Sequence, residues 1–196
     1  MSGANFFALL YRMKYISRWG LMRNSRTENI SEHSLETAII AHGLAVMRNK
    51  RFGGDVNPEK VALLALFHDV SETITGDLPT PVKYFNSDIS ASYKQVENIA
   101  LEKLLTMLPD DMRDEYRGIL IPDSTNTEEM KLVKAADKLS ALLKCVEEES
   151  AGNGEFAFAK QSTLRSIEEL DMPEVDEFIK EFLPAYKLTL DELING

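Results

Sequence analysis

Seven apolar residues, Val61-Ala-Leu-Leu-Ala-Leu-Phe67, run without a break into His68 and Asp69, and Glu72 follows three residues later. Such a stretch is buried in a folded chain, and an ionisable group at its end costs free energy unless it is paired or metal-bound. The run therefore demands a core around itself and partners for its last residues from elsewhere in the chain. Asn57-Pro58 offers a capping side chain and a first-turn proline for a helix over this run. If that helix persists to Glu72, then His68, Asp69 and Glu72 share one face.

The same helical period recurs along the chain. Phe6, Leu9, Leu10 and Met13 predict an amphipathic helix over 4–16. Asn29 followed by Glu32 has the form of a helix start, and the segment from there to about Lys50 is apolar on nearly every side, as a central helix would be. Residues 73–81, with Gly76, Pro79 and Pro81, read as a shaped loop. Helices are expected over 88–108 and 110–120, from Thr127 to about Glu149, and over 155–169 and 173–183, ahead of a short tail. The sequence holds no alternating β pattern, repeat or glycine-rich phosphate loop, so an all-α fold of about eight or more helices is expected. With 196 residues, 44% of them apolar, the chain reads as a single domain over 1–196.

A formal charge of -10 argues against a nucleic acid polymer or an anionic membrane as partner, because both recruit basic surfaces. Acidic residues far outnumber basic ones from Glu147 onward, which predicts a solvated acidic face there. The exception to the acidity is the segment 17–29, where Arg18, Arg23 and Arg26 accompany the only tryptophan, Trp19. Arg23 and Arg26 read equally as solvated charges or as members of structural ion pairs. Cys145 is alone, so it makes no intramolecular disulfide, and no apolar run approaches the roughly 20 residues of a membrane span. A soluble, cytoplasmic protein is expected.

There are three histidines. His33 and His42 are nine positions apart on one expected helix, half a turn out of phase and about 13 Å apart along the axis, so they do not share an ion. His42 lies in register with Leu35, Ile39 and Val46 and reads as a buried core histidine, whereas His33, at the helix start, is open to meet His68 and Asp69. A buried hydrogen-bonded His68-Asp69 pair is the plain alternative to a metal site.

The order His33, His68-Asp69, Asp137 resembles that of the HD-domain phosphohydrolases, which assemble a metal site from a histidine, a sequential His-Asp pair and a distant aspartate. The likeness extends to the bacterial 5'-deoxynucleotidases (YfbR-like) of that superfamily. It is carried by Arg18-Trp19, by Arg23-Asn-Ser-Arg-Thr-Glu-Asn-Ile-Ser-Glu-His33-Ser, by Phe67-His-Asp-Val-Ser-Glu72, by Gly76-Asp77-Leu-Pro-Thr-Pro-Val-Lys-Tyr-Phe-Asn86 and by Lys134-Ala-Ala-Asp137. It implies an HD-domain helical bundle in which His33, His68, Asp69 and Asp137 bind one divalent cation. Two imidazoles and two carboxylates suit Co, Mn or another first-row ion and do not choose among them.

The resemblance further implies hydrolysis of deoxyribonucleoside 5'-monophosphates to deoxynucleosides and phosphate by a homodimer. Trp19 would help orient the phosphate and favour 2'-deoxy sugars, and Asp77, Leu78, Pro79 and Thr80 would contact substrate. The adjacent Arg18 guanidinium suits a phosphate bidentately. Glu72 is placed to take a proton from a metal-bound water and Asp77 to protonate the departing 5'-oxygen, two roles that are exchangeable. The alternatives are a deoxynucleoside triphosphohydrolase, a cyclic-nucleotide phosphodiesterase, or a catalytically silent nucleotide-binding scaffold.

Overall fold

Residues 4–83, 85–124 and 127–196 are described by the computed structural model; Tyr84, in the motif spanning 76–86, and Thr125 and Asn126, in the loop after Ile121, lie outside them. The described chain is all-α. Its helices are α1 (Phe6–Leu10), α2 (Ile30–Arg51), α3 (Pro58–Leu66), α4 (Glu72–Thr75), α5 (Thr80–Lys83), α6 (Ser87–Leu105), α7 (Asp110–Leu120), α8 (Glu128–Ser150), α9 (Ala157–Glu168), α10 (Pro173–Glu181) and α11 (Leu190–Asn195). Short 3-10 turns occupy Tyr11–Tyr15, Gly154–Phe156 and Leu183–Lys187, and a lone antiparallel bridge joins Ser17 to Asn29. Among the described residues no helix is long and apolar enough to cross a membrane.

Side-chain caps set most of the long helix starts. Asn29 Oδ1 accepts the Ser31 and Glu32 backbone N–H groups at 3.0 and 3.1 Å, while the Glu32 carboxylate accepts the Asn29 N–H at 3.3 Å, closing a reciprocal cap on α2. Asn57 caps α3 through the Lys60 N–H at 2.9 Å, Asn86 caps α6 through Ile89 at 2.8 Å, and Thr127 caps α8 through Met130 at 3.2 Å. Each such cap contributes about 1 kcal/mol. The same chemistry makes α11, where Thr189 and Glu192 form a capping box in what reads from the sequence as a tail.

The chain divides into two compact units. The first comprises Met1–Leu21, Thr27–Leu35 and Leu66–Thr125. Its core joins Phe6 and Met13 to Ile30, Val70, Leu104, Leu105, Leu108 and Leu120. Phe6 packs edge-on to Tyr116 with ring centroids 5.0 Å apart, and Tyr116 in turn meets Phe67 at 6.0 Å. Burying a side chain of Phe6's size contributes roughly 1.5–3 kcal/mol.

The second unit comprises Met22–Arg26, Glu36–Ala65 and Asn126–Gly196. Its core is built on α8, whose Leu132, Val133, Ala135, Ala136, Leu139 and Leu142 lie with Ala41, Leu44 and Ala45 of α2 and Val175 and Phe178 of α10. A buried ionic knot also sits here. Glu148 accepts the Ser25 N–H at 2.8 Å and the Asn153 side-chain amide at 2.7 Å and pairs with Lys144, which donates to the Arg26 carbonyl at 2.6 Å. Burial pushes the Glu148 carboxyl up, but the bonds from Lys144, Ser25 and Asn153 outweigh it and bring the value down to about 2.

Five expectations need correction. Residues 73–81 are not one loop, since α4 takes in 73–75 and α5 begins at Thr80. The helix over the apolar run ends at Leu66, and residues 67–71 form a turn before α4 begins. The acidic C-terminal stretch is not solvated throughout, since Glu148 and Glu174 are fully buried. The tail ends in α11, as its capping box shows. His42 is exposed rather than buried, together with Leu35 (56% exposed) and Ile39 (65%) of its face. Its grouping by helical phase holds, but both sides of α2 are apolar and periodicity does not say which turns inward. The inward side carries Ala38, Ala41 and Ala45 with Ile40, Leu44 and Met47, small side chains that allow close helix approach.

Candidate active site

The turn after α3 positions the polar end of the apolar run. Val70, Glu72, Thr73 and Ile74 donate their N–H groups to the carbonyls three residues back, at 3.3, 3.0, 3.2 and 3.0 Å. In such a 3-10 course residues three apart eclipse one another. Phe67 and Val70 therefore form one ridge, and both pack in the first unit's core. Asp69 and Glu72 form another ridge. The spacing of three between those two pairs is the sequence signal for this turn, and it competes there with a reading of continuous α-helix.

His33, in the first turn of α2, is fully buried. Its Nε2 lies 3.5 Å from Asp69 Oδ2, and His68 Nε2 lies 3.1 Å from the same oxygen. The two imidazoles are 5.2 Å apart between ring centres, and one donor atom from each of the three residues falls within 4.8 Å of the others. At bond lengths of about 2.0–2.1 Å, neighbouring ligands of one ion stand about 3.0 Å apart in an octahedron and about 3.4 Å apart in a tetrahedron. The two imidazole-to-Asp69 separations match this, and nitrogen and carboxylate donors suit a first-row divalent cation. Asp137 lies half-buried on α8, in the second unit.

Glu72 is buried, and its carboxyl is pushed up to about 9 by that burial and by the Asp69 and Asp77 carboxylates, against the opposing charges of Arg18 and Lys83. Asp77 is also raised, first by burial, with Arg18 working against it. Three carboxylates gathered this way repel one another, which a cation among them relieves. Gly76, at φ 73 and ψ 165, makes the turn from α4 into the Asp77 loop in a region that glycine alone adopts readily. The Tyr93 hydroxyl braces that turn, 3.3 Å from both Thr75 Oγ1 and the Gly76 carbonyl. Leu78 and Pro79 are half-buried and Thr80 is exposed. Lys83, which no sequence pattern singles out, pairs with Glu97 at 2.8 Å and extends its charge to Glu72 and Asp77.

Arg18 and Trp19 sit on an arm clipped to the start of α2. The Arg18 N–H donates to the Glu28 carbonyl at 2.9 Å and the Ile30 N–H to the Ile16 carbonyl at 3.0 Å. Trp19 adopts φ 59, an uncommon and strained conformation for a bulky residue. Its indole N–H donates to Glu28 Oε2 at 2.8 Å, and Arg18 Nη1 donates to the same oxygen at 3.2 Å. Glu28, absent from the residues expected from sequence, is buried, and its Oε1 lies 3.9 Å from His33 Nδ1. Arg23 and Arg26 pair with Glu155 and Glu147, so each is engaged in an ion pair.

A family model described as 5'-deoxynucleotidase YfbR-like matches residues 5–186. The chain belongs to that family. Among curated proteins, a 5'-deoxynucleotidase from Enterobacter sp. (strain 638) is 52% identical over 193 residues, covering 98% of this chain and 97% of the relative. Among solved structures, an HD-domain phosphohydrolase from Listeria innocua superposes with a TM-score of 0.82 at 28% identity, covering 93% of this chain and 88% of its own. The cyanophage S-2L HD phosphohydrolase DatZ, solved with dA and one catalytic Zn2+ ion, shares the fold at 21% identity with a TM-score of 0.65, over 93% of this chain and 96% of its own. Within this YfbR-like chain, the structure brings together His33, His68 and Asp69 and places Glu72 and Asp77 in one electrostatic neighbourhood with Arg18.

Proposed function

We propose that this chain is a metal-dependent 5'-deoxynucleotidase that hydrolyses deoxyribonucleoside 5'-monophosphates to deoxynucleosides and phosphate. One observation carries the reading: His33 and His68 converge through Nε2 on a single Asp69 oxygen, with the buried Glu72 on the ridge of Asp69. Family membership and the near full-length likeness to a 5'-deoxynucleotidase support the substrate class. His33, His68, Asp69 and Asp137 would hold one divalent cation, with Mn and Co the first to test. When bound, such an ion lowers the pKa of a coordinated water and polarises the phosphoryl group.

The chain's own side chains do the rest. Glu72 would take a proton from water as its carboxylate, a form that a nearby cation's charge favours over the acid that burial and neighbouring carboxylates alone would leave. Asp77, raised by its burial, delivers a proton to the leaving 5'-oxygen, and the assignments of the two acids are exchangeable. The Arg18 guanidinium grips the phosphate, the Trp19 indole walls the sugar where a 2'-hydroxyl would sit, and residues 77–80 line the substrate. The match over 5–186 spans both compact units and supports one HD domain. The outward apolar face of α2 around Leu35 and Ile39 supports a homodimer, and the buried lone Cys145 supports a reducing, cytoplasmic setting.

The test is phosphate release from dAMP, AMP, dATP and a cyclic nucleotide after EDTA treatment and single-metal add-back. Turnover of dAMP well above AMP, restored by Mn or Co, is expected. Inactivity on dAMP beside turnover of dATP or the cyclic nucleotide would replace this reading by another HD hydrolase chemistry, and inactivity on all four by a silent scaffold.

A further inference from the structure

We propose that Glu28 is a positioning residue that couples the metal ligands to the substrate arm. The inference rests on the deoxynucleotidase reading and adds to it a residue outside the metal, acid-base and substrate groups. One buried carboxylate faces both halves of the site: Oε2 accepts from the Trp19 indole at 2.8 Å and from Arg18 at 3.2 Å, and Oε1 lies 3.9 Å from His33 Nδ1. The opposite nitrogen of that imidazole, Nε2, is the one that faces Asp69.

A carboxylate beside Nδ1 selects the tautomer with the proton on Nδ1, leaving the Nε2 lone pair directed at a cation. At 3.9 Å the Nδ1 contact is longer than a hydrogen bond, and a small shift of either side chain closes it. Oε1 on the Nδ1 side and Asp69 on the Nε2 side would together fix the plane of the His33 ring, so the posture of Glu28 and that of the ligand are linked. The same carboxylate is the acceptor for Trp19 and Arg18, so their posture responds. Trp19 is held at a strained φ of 59, and a residue kept in such a conformation relaxes when its restraint moves. The Trp19 backbone also donates to Asp77. Glu28 thus lies against a metal ligand and accepts from both arm residues.

Trp19 is the only tryptophan in the chain, so its emission reports on this coupling without interference. Metal-depleted protein is titrated with Mn2+ while heat and tryptophan emission are followed in parallel, for the wild type, Glu28→Gln and Trp19→Phe. In the wild type the emission is expected to change in step with metal occupancy. Glu28→Gln keeps the size and one acceptor but removes the charge; its metal Kd is expected to rise roughly 10–100-fold, as for partners of liganding histidines. Its emission response should vanish, and the dAMP to AMP preference should shrink with it. Trp19→Phe should lose the sugar preference and, because coupling is reciprocal, bind Mn2+ with a Kd different from the wild type's, read by heat alone. An unchanged Kd in a folded Glu28→Gln protein, or wild-type emission indifferent to bound Mn2+, overturns the proposal; the second readout needs no variant and decides even if the Gln protein does not fold. Wild-type protein that binds Mn2+ and shows the coupling but leaves dAMP intact sinks the substrate reading alone.

Discussion

Glu72 owes its raised proton affinity to burial first and to Asp69 and Asp77 second, and it is not among the three residues whose donor atoms converge. Removing its carboxylate should therefore impair proton transfer while leaving the ion in place. Glu72→Ala is expected to lower kcat by about 10²–10⁴-fold, with metal still bound in calorimetry. Gly76 makes a different demand. An added Cβ there meets nothing within 4 Å, yet φ 73 with ψ 165 is strained for any other residue. Gly76→Ala should lose about 1–3 kcal/mol in urea unfolding, through backbone strain without a clash. At this scale the histidines and Asp69 were legible, because ionisable groups at the end of an apolar run need partners. Glu28 was not, because one glutamate in a polar segment carries no periodic or spacing signal until the arm folds back on α2.

Helix α8 shows an element held by a polar knot in an apolar surrounding. Lys144 and Glu148, one turn apart, are both buried and tie residues 25 and 26 of the chain to α8. Lys144→Met should cost about 3–5 kcal/mol in chemical unfolding, because it strands the Glu148 charge. The pH dependence has a definite sign. Glu148 is depressed from the ordinary 4.5 to about 2, so its contribution is complete above about pH 4.5 and disappears as the pH falls toward 2. In Glu148→Gln, the part of the acid-induced loss of stability that falls in that window should be missing from thermal melts. Helix starts were readable from Asn29, Asn57 and Thr127 because a cap is a local interaction. The α11 capping box had the same signal in Thr189 and Glu192, though its short apolar run drew no helix from periodicity. The break after Leu66 was hidden because α and 3-10 courses both accept spacings of three.

For the whole molecule, an ion held by the converging donors would stabilise the folded chain over the unfolded one. At a hundredfold excess of Mn2+ over its Kd, the gain is about 2.7 kcal/mol, or about 5–10 °C in Tm for a chain of this length. EDTA should reverse that shift, and Asp69→Ala should not show it.

From its sequence alone this chain determined an all-α fold, most of its helices, and the ordered His33, His68-Asp69 and Asp137 pattern, because period, caps and short motifs act within a few residues of the chain. Tertiary structure decided which side of α2 turns inward and so exposed His42. It also decided that the apolar run, in which Val61, Leu64 and Ala65 are buried but Leu63 and Leu66 exposed, opens into a tight turn setting Asp69 over Glu72, and that Glu28 stands between His33 and the Arg18-Trp19 arm. Those choices depend on packing between residues distant in sequence, where two apolar faces or two carboxylates look alike until their neighbours are in place.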